Sequence, residues 1–146
     1  MQINFSKTKY MLFGDTSFRN SVCMRNNNIS YVDVFSLLGL RIDSKLSFNN
    51  HCSHLCKKIC SFLPICYKFK FFLPFNTKII IFNAIIVSHI RYSLIIYSNC
   101  NISTLSIVSK SYHKALKSLF SHQELMRIKK HIQDYFHFIA FKQSPC

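Results

Sequence analysis

YVDVFSLLGLRIDSKLSFNNHC, residues 31–52, holds one of the two glycines in a chain of 146 residues and marks a change of period. Up to Asp43 the pattern suits extended chain: FSLLGLRID reads as an apolar strand, and Asp43-Ser44 turns the chain out of it. From His51 onward the apolar residues recur with a period near 3.6. Strands are expected before this stretch and helices after it. Segregation of that kind predicts an α+β fold: short antiparallel strands followed by a basic helical bundle.

Upstream, QINFSKTKYMLF alternates around Ile3 and Phe5 and ends in the apolar run Tyr10 to Phe13. The pattern predicts two short strands joined near Ser6-Lys7-Thr8 and ended by Gly14-Asp15. SVCMRNNNISYVDV predicts a hairpin turning at Asn26-Asn27-Asn28, residues that tolerate turn dihedrals. Downstream, Cys52, Leu55, Cys56, Ile59, Phe62, Leu63 and Cys66 form one stripe of a helix, with Ser53, Lys57, Lys58 and Ser61 opposite. Pro64 is expected to kink or end it. Pro74 closes the segment, and Asn76 or Thr77 can cap the next helix. That helix, about 77 to 97, is apolar nearly all round and therefore central. A third points Leu105, Val108, Tyr112, Leu116 and Leu119 inward and Lys110, Lys114 and Lys117 outward. A fourth, about 123 to 139, points Leu125, Ile128, Ile132, Tyr135 and Ile139 inward.

Lys and Arg number 19 against 5 Asp and Glu, a net charge of +14. Such an excess selects a polyanionic partner, nucleic acid or an anionic membrane. Codon bias is a second source: a chain with 14 Lys to 5 Arg, 15 Phe and no Trp is what AT-rich coding DNA yields. The seven cysteines are odd in number, and Cys52, Cys56 and Cys60 fall at helical spacing instead of in a disulfide framework. MQINFSKTKYMLFGD has no signal-peptide core, so an intracellular, reducing setting (nucleus or cytoplasm) is expected, not secretion. IIIFNAIIVSHIRYSLIIY, residues 79–97, has the length of a membrane span. Asn83, His89 and Arg91 interrupt it, and a central arginine costs about 2.5–3.5 kcal/mol on insertion scales. A buried helix is the better reading; a basic membrane-associated protein with one span is the alternative. His51, Cys52, His54, Cys56 and Cys60 are of zinc-ligand type. A ladder rising about 5.4 Å per helical turn cannot close a tetrahedron unaided, so buried apolar thiols are expected and no metal.

Four stretches follow one another in an order that is itself informative: INFSKTKYMLFG, FSLLGLRIDSKLSFNNHCSHLCKKI, FLPFNTKIIIFNAIIVSHIRYSLIIYSN and HKALKSLF. Together, over roughly residues 2 to 120, they resemble the C-terminal part of reverse transcriptases from LINE-type (non-LTR) retrotransposons. Asn4, Lys7, Thr8 and Lys9 match an Asn-x-x-Lys-Thr-Lys segment that follows the catalytic aspartates in that family. Leu38, Gly39, Ile42, Asp43, Leu46, Phe48 and His51 match a Leu-Gly hairpin tip, an Ile-Asp pair and a Leu-x-Phe-x-x-His stretch. Leu37 departs from a usual aromatic, Tyr97 replaces a frequent Trp, and Pro64 interrupts a thumb helix that is normally continuous.

The resemblance implies palm-remnant strands over residues 1–46 and a thumb-like bundle over 47–122, with 123–146 a C-terminal helix and tail. It implies that Leu38 and Gly39 form a primer-grip-like tip, where a residue without Cβ lets backbone approach a phosphate. From spacing alone, Gly39 reads equally as the end or bulge of a strand. A thumb grips the template–primer duplex by its backbone without sequence preference. Lys57, Lys58, Lys68, Lys70, Lys114 and Lys117 are the candidate contacts there, with Lys7 and Lys9 on the palm side. Intact relatives use Mg²⁺ held by paired carboxylates. No two acidic residues are adjacent here, so the chain is expected to be a truncated, non-catalytic fragment with no cofactor and no small-molecule substrate. A small nucleic-acid-binding protein recruited from such an element is the other alternative.

Overall fold

The computed structural model describes residues 4–14, 22–24, 26–92 and 94–128. It falls into two compact units, Met1–His51 and Cys52–Cys146. The fold is α+β, with short strands in two small sheets preceding the helices.

In the first unit, β1 (Lys9–Tyr10), β2 (Val22–Met24) and β3 (Asn27–Tyr31) form a sheet ordered β1-β3-β2. The β2–β3 pair is the predicted hairpin, but Met24 lies opposite Asn27, so the turn falls one residue early. Asn26 takes the left-handed φ of 62° while Asn27 and Asn28 belong to the strand. β1 joins β3 in parallel, Lys9 opposite Ser30 and Tyr10 opposite Tyr31, with the two tyrosine rings edge-on at 5.5 Å. β1 is the second of the two strands expected around residues 6–8, ending at Tyr10 and not at Gly14; the first does not extend into residues 4–8. Residues 4–8 are a turn instead: Asn4 Oδ1 accepts from Ser6 Oγ at 2.6 Å and Lys7 N at 3.3 Å, and Asn4 O accepts from Thr8 N at 3.1 Å. An asparagine that satisfies its own neighbours in this way competes with extended chain. Ile3 lies outside the described residues.

FSLLGLRID is two strands and not one: β4 (Val34–Leu37) and β5 (Leu40–Asp43) pair antiparallel with Leu37 opposite Leu40. Leu38 (φ 50°) and Gly39 (φ 85°) make the two-residue connection. Both φ values are positive, as a type I′ turn demands, and that turn matches the twist of its strands. Apolar Leu38 concealed this from a reading by period. Asp43, only 7% exposed, then gathers the exit loop. Its carboxylate accepts from Lys45 N, Ser47 N, Ser47 Oγ and Phe48 N at 2.8–3.2 Å.

The helices begin with α1 (Asn49–Phe69). Its stripe is as expected: Cys52, Leu55, Cys56, Ile59 and Cys66 are buried, while Ser53, Lys57, Lys58 and Ser61 are exposed. It does not end at Pro64. Proline cannot donate to the carbonyl four residues back, but Cys60 and Pro64 both lie on the exposed side, where water replaces the lost donor. α2 (Phe75–Phe82) starts two residues sooner than expected, capped by the backbone of Pro74 (φ −65°, ψ 153°). Asn76 and Thr77 therefore sit inside the helix and do not cap it.

The single helix expected over 77–97 is broken. α2 passes into a π-helical segment (Asn83–Val87), then α3 (Ser88–Arg91), and α4 (Leu94–Tyr97) follows separately. In the π segment Ser88 N reaches Asn83 O, five residues back. Side chains explain the loosening: Ser88 Oγ bonds Ala84 O and His89 Nδ1 bonds Ile85 O, carbonyls that an α ladder would use. At Tyr92 ψ swings to 118° and the helix ends. Fully buried Tyr97 donates its hydroxyl to Ile90 O, a carbonyl left over at that end. Among the described residues no helix is long and apolar enough to cross a membrane.

α5 (Ile102–Leu119) buries Val108, Tyr112, Leu116 and Leu119, half-buries Leu105 and exposes Lys110, Lys114 and Lys117, as the spacing predicts. Phe82 joins the core through edge-on contacts to Tyr112 (5.3 Å) and Phe120 (5.7 Å). Residues 122–128 are helical, with Leu125 half-buried and Ile128 buried. Ile132, Tyr135 and Ile139 lie outside the described residues.

Candidate nucleic-acid interface

The candidate lysines divide between the two units. In the helical unit, Lys57 and Lys68 are eleven residues apart on α1, which returns them to the same face about 16 Å apart. Lys58 is exposed beside Lys57. Lys110, Lys114 and Lys117 repeat at helical spacing along one exposed side of α5. Lys70, just past α1, sends its ammonium to Lys117 O at 3.2 Å. That contact brings Lys70 to the end of α5 that bears Lys114 and Lys117. A cation on the last carbonyls of a helix also opposes its dipole.

Acids hardly dilute this charge. Between Cys52 and Ile128 the one acidic residue is Glu124. It is engaged by Lys78, Nζ lying 2.8 Å and 3.0 Å from its two carboxylate oxygens, with the side chains 5% and 19% exposed. Burial pushes the Glu124 carboxyl up, but bonds from Lys78 and from Ser121 outweigh it and hold the group below its ordinary 4.5. Lys78 is thereby withdrawn from the surface. This pair escaped the sequence reading, although Ser121-His122-Gln123-Glu124 carries the S-x-x-E signature of a capping box. The box forms: Ser121 N donates to Glu124 Oε2 at 2.7 Å and Glu124 N to Ser121 Oγ at 3.4 Å.

In the strand unit, Lys7 is exposed on the Asn4 turn and Lys9 Nζ bonds Ser30 Oγ at 2.6 Å across the β1–β3 pair. The Leu38-Gly39 tip presents Leu38 at 84% exposure. A leucine in the left-handed region is strained, and water gives its side chain no packing in return.

Cys52 and Cys56 behave as the expected apolar packing, but Cys60 is exposed, because it falls on the outward side of α1. Burial pushes the Cys52 thiol up to about 12, with the Cys100 and Cys56 thiols adding to it. Burial likewise raises Cys56 and Cys66, against hydrogen bonds from Ser111 and Ser118 respectively. Protonated, desolvated thiols are poor ligands and nucleophiles. Among the described residues no three His, Cys, Asp or Glu side chains are grouped to hold a metal ion. A cavity of about 500 Å³ opens near the π segment, and among the described residues its polar lining is Asn83, Tyr112 and Arg127. No protein-family model, curated protein or solved structure matches the chain.

Proposed function

We propose that this chain is a piece of a LINE-type reverse transcriptase that grips a template–primer duplex by its backbone without catalysing synthesis. The observation that carries the proposal is the contact of Lys70 with the end of α5 that bears Lys114 and Lys117, on a helical unit whose one described acid is already paired. Exposed lysines on helices suit phosphate contact, which needs no base readout. The strained, exposed Leu38-Gly39 tip supports a primer-grip role, since strain of this kind is retained where a partner compensates for it. The test is fluorescence anisotropy of the full chain with RNA–DNA hybrid duplexes of unrelated sequence. Affinities equal within about twofold and falling steeply with salt support the proposal. A strong preference for one sequence, or no binding at low salt, contradicts it.

A further inference from the structure

The segment joining α1 to α2, Tyr67-Lys68-Phe69-Lys70-Phe71-Phe72, is unlike the rest of the helical surface. Tyr67 and Phe69 are exposed, and Phe71 and Phe72 are 78% and 83% exposed, among the barest large apolar side chains described. The loop is nevertheless ordered by its own backbone: Lys70 N bonds Tyr67 O, and Phe72 N and Leu73 N both bond Phe69 O, at 3.2–3.3 Å. Lys70 pins it to the C-terminal end of α5. Four rings therefore stand in water on a fixed turn, interleaved with two cations and adjoining the basic run of Lys114 and Lys117.

We infer that this loop is a stacking platform for unpaired bases of a single-stranded nucleic acid, such as the template where it leaves the duplex. The inference rests on the nucleic-acid reading proposed above and adds to it a substrate region and the residues that meet it. Flat rings accept any base face, while neighbouring lysines take the phosphates, so bases stack without sequence preference. A lipid surface is the less favoured partner, because Lys68 and Lys70 alternate with the rings and break the continuous apolar face that insertion uses.

The test uses the full chain with three probes: a 15-nucleotide oligo(dT), a blunt hybrid duplex, and phosphatidylserine-containing vesicles. The variants are Phe71→Leu/Phe72→Leu, which keeps apolar bulk but removes the rings, and Phe71→Ser/Phe72→Ser. Both sites are too exposed to threaten folding, which circular dichroism checks. The expected result is a loss of tenfold or more for oligo(dT) in both variants, with duplex affinity changed less than twofold. Unchanged oligo(dT) affinity with intact duplex binding overturns the platform alone. Vesicle binding that survives in the leucine variant and fails in the serine variant, with oligo(dT) unaffected, overturns it in favour of a lipid surface. Absence of binding to both nucleic acids removes the underlying reading as well.

Discussion

Gly39 and Leu38 differ in how well each suits its place. Gly39 at φ 85° needs no Cβ, and Gly39→Ala is expected to cost about 1–2 kcal/mol, measured by urea unfolding. Leu38 has the conformation that asparagine adopts more readily, so Leu38→Asn is expected to stabilise by about 0.5–1 kcal/mol. If the tip serves as a grip, the same change weakens duplex binding while improving the fold. The thiols give a second residue-scale test: iodoacetamide is expected to alkylate exposed Cys23 and Cys60 rapidly and to spare buried Cys52 and Cys66 until the chain unfolds, read by peptide mass mapping. Glu124 sets a third. Its carboxyl is depressed in the fold, so its contribution is complete above pH 4.5 and is lost as pH falls through the lowered value. Thermal melts between pH 6 and pH 3 are expected to steepen in that acid window, and less so in Glu124→Gln. Lys78→Met, which leaves the carboxylate only its Ser121 bonds, is expected to cost about 3 kcal/mol at pH 7.

Among the elements, Pro64 shows how position decides what a residue does. A proline inside a helix costs about 3 kcal/mol relative to alanine, yet α1 runs past it to Phe69. The apolar stripe on both sides holds the helix together. Pro64→Ala is therefore expected to raise stability by about 1–3 kcal/mol in urea unfolding, without loss of nucleic-acid binding. The stripes of α1 and α5 were legible because burial on one side writes a 3.6-residue period. The break between α3 and α4 was not legible. It goes with Tyr97 taking the carbonyl of Ile90, as the π segment before it goes with Ser88 and His89 back-bonding to carbonyls, and no periodicity encodes such contacts. Periodicity alone hid the two strands of FSLLGLRID, since a leucine at the turn looks like strand; the hairpin tip at Leu38-Gly39 was legible only through the resemblance. The parallel partner of β1 lies 21 residues away in sequence, as in Lys9 and Ser30, beyond local pattern altogether.

For the whole molecule, the sequence carried the order of strands then helices and the outward direction of the lysines. It did not carry which lysines meet. Lys68, Lys70, Lys114 and Lys117 were named as candidates, but only the fold joins Lys70 to Lys117, and only the fold removes Lys78 by pairing it with Glu124. A net charge of +14 is expected from compositional bias as well as from a grip, so charge alone does not distinguish the two. Arrangement does. If the charge is compositional, neutralising three clustered lysines lowers affinity no more than neutralising three scattered cations.

The deciding experiment is the salt dependence of hybrid-duplex binding between 50 and 200 mM, for the wild type and for Lys68→Gln/Lys114→Gln/Lys117→Gln. All three side chains are exposed, so the fold should remain intact. For a backbone grip, log affinity falls linearly with log salt, and the triple variant flattens the slope by about 2–3, near 0.9 for each phosphate no longer neutralised. A slope that Arg41→Gln/Lys45→Gln/Arg127→Gln, scattered cations all exposed and outside the proposed interface, changes as much as the clustered variant does, or a wild-type slope near zero, would contradict such a grip.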